Sequence, residues 1–336
     1  QMEADRMVNL RLTEAEVLTE RDVILEERRS RVENNPQAVL DEQMNAVLYY
    51  SHPYGIPVIG WEHEIARLTR EDALSFYKRH YAPNNAILVV SGDVTPDEVR
   101  RLAEESYGTI PANPEIKARK RPMDPEQRAA RRVEIKDPRA GKPSVQRYYV
   151  TPSYVTAKPG EAEALDLLMK IAGSGATSRL YQKLVATDKV ASTAGGWYGG
   201  SSMDFGKIAV YAIPAEGASL DTVESAIDAV LADIIQNGVT EAELERAKKA
   251  YRAEFIYESD NQATLARRYG WSLVVGRTIE DIESWPERIS KVTLDDVKRV
   301  AARYLDPRRS VTGTLLPVAP EGVVQQTDTA APQRRS

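Results

Sequence analysis

Two stretches of the chain read as one unit used twice. LTREDALSFYKRHYAPNNAI, residues 68–87, lies on VTLDDVKRVAARYLDPRRSV, residues 292–311, without a gap. Thr69 meets Thr293, Asp72 meets Asp296, Phe76 meets Val300, Arg79 meets Arg303 and Pro83 meets Pro307. Each copy reads as a helix opened by a capping box and stopped by proline, with an apolar strand behind it. TEAE recurs at 13–16 and 240–243, at a similar offset. A unit of roughly 220 residues used twice predicts two homologous domains.

The repeat also predicts a shortfall. About 145 residues precede the repeated helix of the second copy, counted from the strand near Val145, against 67 in the first copy. On this count the first copy is short by roughly 80 residues, a strand or two and at least one helix. Its core and sheet edge are then expected to be open unless a separate segment covers them.

Helical spacing and caps predict helices at 37–50, 69–81, 95–108, 159–172, 219–236, 240–257, 261–274 and 293–304. Strands are expected at 86–90, 145–150, 190–197, 205–213 and 310–316, the first as an apolar run covered on both faces. The organisation expected is a truncated first domain at 1–115, a linker at 116–143, a homologous second domain at 144–317 and a disordered tail at 318–336. The region between the domains is rich in Lys, Arg and Pro and holds one candidate edge strand, RRVEIK. Its interleaved acids and lack of stacking aromatics argue against a polyanion site. The turn holding Gly173 and Gly175 lacks the Gly-Lys-Ser/Thr ending of a phosphate loop.

A net charge of −5 gives no electrostatic case for nucleic acid. No apolar run is long enough to span a membrane. Without cysteine there are no disulfides, thiol nucleophiles or thiolate zinc sites. The three histidines are His52, His63 and His80, no two of them four apart, so they do not make a helical zinc pair. The opening QMEADRM carries no signal-peptide pattern.

Thr13 to Asn34 reads as one helix, with Glu20 and Glu27 seven residues apart. Seven steps of about 100° return to nearly the same azimuth, roughly 10 Å along the axis. Val17, Val23 and Ile24 flank Glu20, and Leu18 and Leu25 cover the other side. The helix is therefore expected to be buried on two sides, with two carboxylates in an apolar stripe. Buried carboxylates are paired or bound to metal. On geometry alone either a metal role or pairing with Arg21, Arg28 or Arg31 accounts for them, as does escape to solvent.

ERDVILEE, HPYGIPVIG, YAPNNAILVVSGDV and SGATSRL, in this order and spacing, resemble the pitrilysin/insulinase family of zinc metallopeptidases. The likeness is greatest to bacterial members related to mitochondrial processing peptidase, and it runs over about residues 1–317. It implies an α+β fold of two homologous α/β-roll domains in a clam-shell, the first incomplete here. It implies zinc held by an H-x-x-E-H helix, whose Glu is the general base, and by a Glu roughly 75–80 residues later. Matched residue by residue, that later ligand is Glu27, and the supporting Glu seven residues earlier is Glu20. Counting back from Glu27 puts H-x-x-E-H before residue 1, and His63-Glu64 does not fit the motif.

The chain departs from the family in a second place. An Arg and a Tyr that bind the substrate backbone in many members correspond to Val185 and Ser192 here. The resemblance therefore implies the zinc-bearing subunit of a homodimer or heterodimer whose other subunit carries the Arg/Tyr pair. It implies a peptide substrate and a periplasmic location, with a cytoplasmic one as the alternative. Two functions follow: a zinc endopeptidase of peptides or unfolded polypeptides, inactive as this chain alone, or a non-catalytic partner subunit on the same fold. Retention of both Glu20 and Glu27 favours the first. His52 is expected to be a turn or packing residue, and Lys248-Lys249 a solvated helix face. Trp197-Tyr198 is read equally as channel lining or strand core.

Overall fold

The computed structural model describes residues 1–318, so most of the tail expected to be disordered lies outside the described residues. The first half is helical: α1 (Met2–Asn9), α2 (Glu14–Arg28) running into a π-helical turn at Arg29–Glu33, α3 (Pro36–Leu48), α4 (Glu62–Ile65), α5 (Arg70–His80) and α6 (Pro96–Ser106). β1 (Arg131–Lys136) and β2 (Ser144–Pro152) follow, then α7 (Glu161–Gly173), β3 (Ala191–Gly199) and β4 (Phe205–Pro214). The chain continues through α8 (Leu220–Asn237), α9 (Glu241–Ser259), α10 (Gln262–Val274), α11 (Ile279–Glu283), α12 (Trp285–Lys291) and α13 (Leu294–Tyr304) to β5 (Ser310–Leu316).

The repeated helices start with the chemistry expected of them. Thr13 and Glu16 form a reciprocal capping box on α2, as Thr240 and Glu243 do on α9. Thr69 and Asp72 do the same on α5, and Thr293 and Asp296 on α13. Each box satisfies backbone N–H groups that the first turn leaves without partners. After α5 and after α13 the chain makes a 3-10 turn on Pro83 and on Pro307 respectively.

The five strands form one mixed sheet in the order β1-β5-β2-β4-β3, the centre of an α+β fold. β1 runs parallel to β5, and the remaining pairs are antiparallel. RRVEIK is thus the edge strand its sequence suggested. Helices α7, α8 and α13 cover one face of the sheet. Their core includes Leu165, Leu168, Ile208, Val210, Ile227, Ile234, Val297 and Val300. α3 covers the other face over β1, β5 and β2, burying Leu40, Met44 and Leu48 completely against Val311, Leu315 and Tyr148. Burying side chains of this size contributes roughly 1.5–3 kcal/mol each. The close approach requires glycine at 313, where a Cβ would overlap the Met44 sulfur.

A polar clasp ties the two halves. The N–H of Tyr54 donates to His52 Nδ1 at 3.2 Å, and His52 Nε2 then donates to Asp204 Oδ2 at 3.0 Å. Arg121 Nε reaches both Asp204 oxygens at 3.0 Å and holds that carboxyl below its usual range. The Tyr54 hydroxyl accepts from the N–H groups of Met203 and Asp204. His52 is fully buried in this arrangement and acts in packing, as expected. The region expected to be an exposed linker is also anchored: Asp124 accepts from the N–H groups of Tyr50 and Ser51, and buried Gln127 donates to the Leu48 carbonyl.

Two expectations are corrected. Residues 86–90 form no strand, and Ile87, Leu88 and Val90 are exposed. Their repeat-mate β5 hydrogen-bonds to a neighbour on each side, whereas 86–90 has no partner strand among the described residues, and a strand requires one. α2 is not buried on two sides: only Arg28 is buried, and Leu18 and Val23 are exposed. Its contacts are with α4, α5 and the π-turn, which leave the rest of its surface open.

Gly313→Ala is expected to cost about 1–3 kcal/mol by overpacking against Met44, measured by denaturant unfolding. Gly141→Ala, where a Cβ meets nothing within 4 Å, is the matched control and is expected to be near neutral.

Candidate functional site

The place of Glu27 is set by its neighbour. Arg28 is buried and donates to Glu42 through Nη1 at 2.8 Å and Nη2 at 3.0 Å. It also donates to the Gly60 carbonyl at 2.8 Å and lies 3.2 Å from Glu33. One side chain thus joins the end of α2 to α3, to the 51–60 loop and to the π-turn. Glu27, one residue earlier, takes no part in this junction. Its carboxylate is partly exposed and pairs with Arg31 Nη2 at 2.8 Å.

Glu27 and Arg31 lie on the wall of a cavity of about 830 Å³. Tyr49, Tyr54 and the 55–59 turn form much of the remaining wall, and Lys207 reaches in from β4 of the second half. Glu20 belongs to a different opening. It is exposed and borders an apolar groove of about 810 Å³ with Val17, Ile24, Leu68, Phe76 and Tyr77. The two carboxylates therefore share a helix face but open into separate spaces.

These residues do not make a zinc site by themselves. No group of three or more His, Asp or Glu side chains converges on a common point among the described residues. His52, the histidine nearest in the chain to this cavity wall, has both ring nitrogens engaged in the clasp. What is present is Glu27, with an exchangeable surface partner, and Glu42, held by the buried Arg28, whereas a structural zinc needs four donors and a catalytic one three. Of the two positions matched to the Arg/Tyr pair, Val185 packs against the main core and Ser192 is exposed, its hydroxyl directed to the Ile213 carbonyl at 3.3 Å. Trp197 is exposed and Tyr198 half-buried, so that pair divides between surface and packing.

Sequence reasoning missed a second cluster. A cavity of about 220 Å³ in the second half is lined by Tyr154, Asp166, Tyr251, Glu254, Phe255 and Trp285, among others. Tyr154 donates its hydroxyl to Asp166, and Trp285 Nε1 donates to the Tyr154 oxygen at 2.6 Å. Burial pushes the Asp166 carboxyl up to about 7. The 227-residue step from Thr13 to Thr240 carries Glu27 onto Glu254. The repeat could therefore have pointed to this cavity; Asp166 and Tyr154 carry no comparable signal.

Comparison with known proteins gives consistent matches. A family described as "Peptidase M16 inactive domain" matches residues 67–251. Zinc protease PqqE of Helicobacter pylori is 28% identical over 319 residues, which is 94% of this chain and 70% of that protein. An uncharacterized zinc protease of Mycobacterium leprae is 30% identical over 312 residues, 91% of this chain and 67% of that protein. The crystal structure of a protease from Helicobacter pylori superposes with a TM-score of 0.86 at 28% identity, over 94% of this chain and 74% of that one.

Asp166 sets a pH dependence. Its carboxyl titrates higher in the folded chain than in the unfolded one, so its contribution to stability is complete below about pH 4 and lost as pH rises through about 7. Asp166→Asn keeps an acceptor for Tyr154 and is expected to flatten this decline in unfolding free energy between pH 4 and 8. Parallel curves for parent and variant would contradict the assignment.

Proposed function

The chain belongs to the M16 peptidase family, and on that premise we propose that it forms part of a zinc endopeptidase acting on peptides or unfolded polypeptides. The observation that carries this reading is Glu27. It stands on a cavity wall, partly exposed, at a point fixed by the buried Arg28 junction. Its only ion-pair partner among the described residues is the exposed Arg31, which can swing away at little cost. In this reading Glu27 is the carboxylate ligand, and the two imidazole ligands and the general base come from polypeptide outside these 336 residues. Glu20 supports the site from the adjoining groove, and this chain alone does not cleave peptides.

The open groove supports the same reading. Phe76 is 60% exposed, while its repeat-mate Val300 is 1% exposed beneath α7, α8 and β2. A strand-and-helix unit like β2–α7 would cover Phe76, Leu68 and Ile24 and bring a helix alongside α2. The functional unit in this proposal is a clam-shell dimer in which a second family subunit supplies the Arg/Tyr pair absent at Val185 and Ser192. A periplasmic location is part of the proposal. No helix among the described residues is long and apolar enough to cross a membrane.

The alternative, a non-catalytic partner subunit, is favoured by the description of the family matched at 67–251. One experiment separates the two. In the full-length gene product, Glu27→Gln is expected to lower zinc content and to reduce peptide cleavage by more than about 100-fold. Glu20→Gln is expected to cost about 10–100-fold, the usual range for a residue that supports a ligand. Full cleavage and normal zinc content in Glu27→Gln would contradict the proposal, and absence of cleavage in the parent would favour the partner subunit.

A further inference from the structure

Lys207 lies on the same cavity wall as Glu27, and its ammonium is in direct contact with no carboxylate among the described residues. It comes from β4, where it pairs with Val150 and Gly199 in the sheet register. Its ammonium sits 4.1 Å from the Tyr148 ring centroid and 5.5 Å from that of Trp197, and donates to Asn45 Oδ1 at 2.9 Å. No carboxylate lies within ion-pair distance of it among the described residues. Asp41, one turn before Asn45 on α3, attracts the ammonium from beyond contact distance, while its carboxylate accepts from the Tyr148 hydroxyl at 3.0 Å and from the Gln146 amide. The other charged groups on the cavity wall are spoken for: Glu27 pairs with Arg31, and Glu42 with Arg28.

A mostly buried ammonium with one hydrogen-bond acceptor is costly. The desolvation lowers the Lys207 pKa to about 8. Flanking rings offset part of the cost through cation–π attraction of about 0.5–2 kcal/mol, and an incoming anion would offset more. Groups left in this condition on a cavity wall mark binding sites more often than ordinary packing positions do. The open flank of the sheet beyond α3 supplies the approach, since Trp197 is exposed beside Lys207.

We propose that Lys207, flanked by Tyr148 and Trp197, binds a carboxylate of the polypeptide drawn into this cavity, either an acidic side chain or the chain's own C-terminus. The inference rests on the peptidase reading and deepens it: with the Arg/Tyr pair supplied by the second subunit, the cation that this chain itself offers to the substrate is a lysine on β4. Lys207 is then a specificity residue, selecting peptides by charge.

The test is calorimetric binding of three unstructured Gly/Ser-rich peptides to the full-length protein, with a metal chelator present so that cleavage does not compete. The first carries one Glu and a C-terminal amide, the second Gln in its place with the amide, and the third Gln with a free C-terminus. The parent is expected to bind the first or the third at least about 10-fold more tightly than the second, and which of the two wins identifies the source of the carboxylate. Lys207→Met keeps the stem between the rings and is expected to bind all three alike, while Lys207→Arg keeps a preference. Equal binding of all three by the parent, or an unchanged preference in Lys207→Met, overturns the role of Lys207 and leaves the peptidase reading standing. Failure to bind any of the three also overturns the role of Lys207, while cleavage and zinc content in Glu27→Gln decide the peptidase reading separately.

Discussion

The buried guanidinium of Arg28 is the junction on which the first half depends. It meets Glu42 on α3, Glu33 in the π-turn and the Gly60 carbonyl at once. α3 is itself seated on the sheet of the second half through Leu40, Met44 and Leu48, with Gly313 beneath Met44. The position of Glu27 is therefore referenced, through one ion pair and one helix, to strands more than a hundred residues away. Removing one partner of a buried pair costs about 3–5 kcal/mol, because the other charge is left uncompensated. That magnitude is comparable to burying two or three of the α3 side chains, so the polar and apolar links in this chain of contacts are of similar weight.

The clasp of His52, Asp204 and Arg121 works on the other end of the same loop. With Nδ1 accepting from a backbone N–H, the His52 ring carries its hydrogen on Nε2 and donates a hydrogen bond from there to Asp204. The 51–60 loop is thus held at Gly60 by Arg28 and at His52 and Tyr54 by the β3–β4 turn. Between these anchors it forms the wall that faces Glu27 and Lys207. The cavity belongs to both halves, which explains how a carboxylate from α2 and an ammonium from β4 come to line one space.

Much of this architecture was legible in the sequence, and the division follows the range of the forces involved. Capped helices such as α5 and α13 could be read because a Thr and an Asp three residues apart satisfy the first turn locally. The apolar run at 86–90 misled, since a strand is defined by neighbours and β5 has two where 86–90 has none among the described residues. The apolar stripe of α2 misled for the same reason: an amphipathic pattern states which face needs cover, not that the cover is present. Glu27 is singled out by family likeness alone, and its pairing with Arg31 is one of the options that helix geometry leaves open. Lys207 and Asp166 were invisible, because what distinguishes them is the company that sheet register and helix packing bring to them.

The central claim is that Glu27 is a metal ligand whose remaining partners lie outside these residues. Anomalous diffraction at the zinc edge, from crystals of the full-length gene product grown with zinc, tests it most directly. The account predicts a peak about 2.0–2.2 Å from a Glu27 carboxylate oxygen, with Arg31 turned away from it. A peak coordinated by other residues, with Glu27 still paired to Arg31, would contradict it.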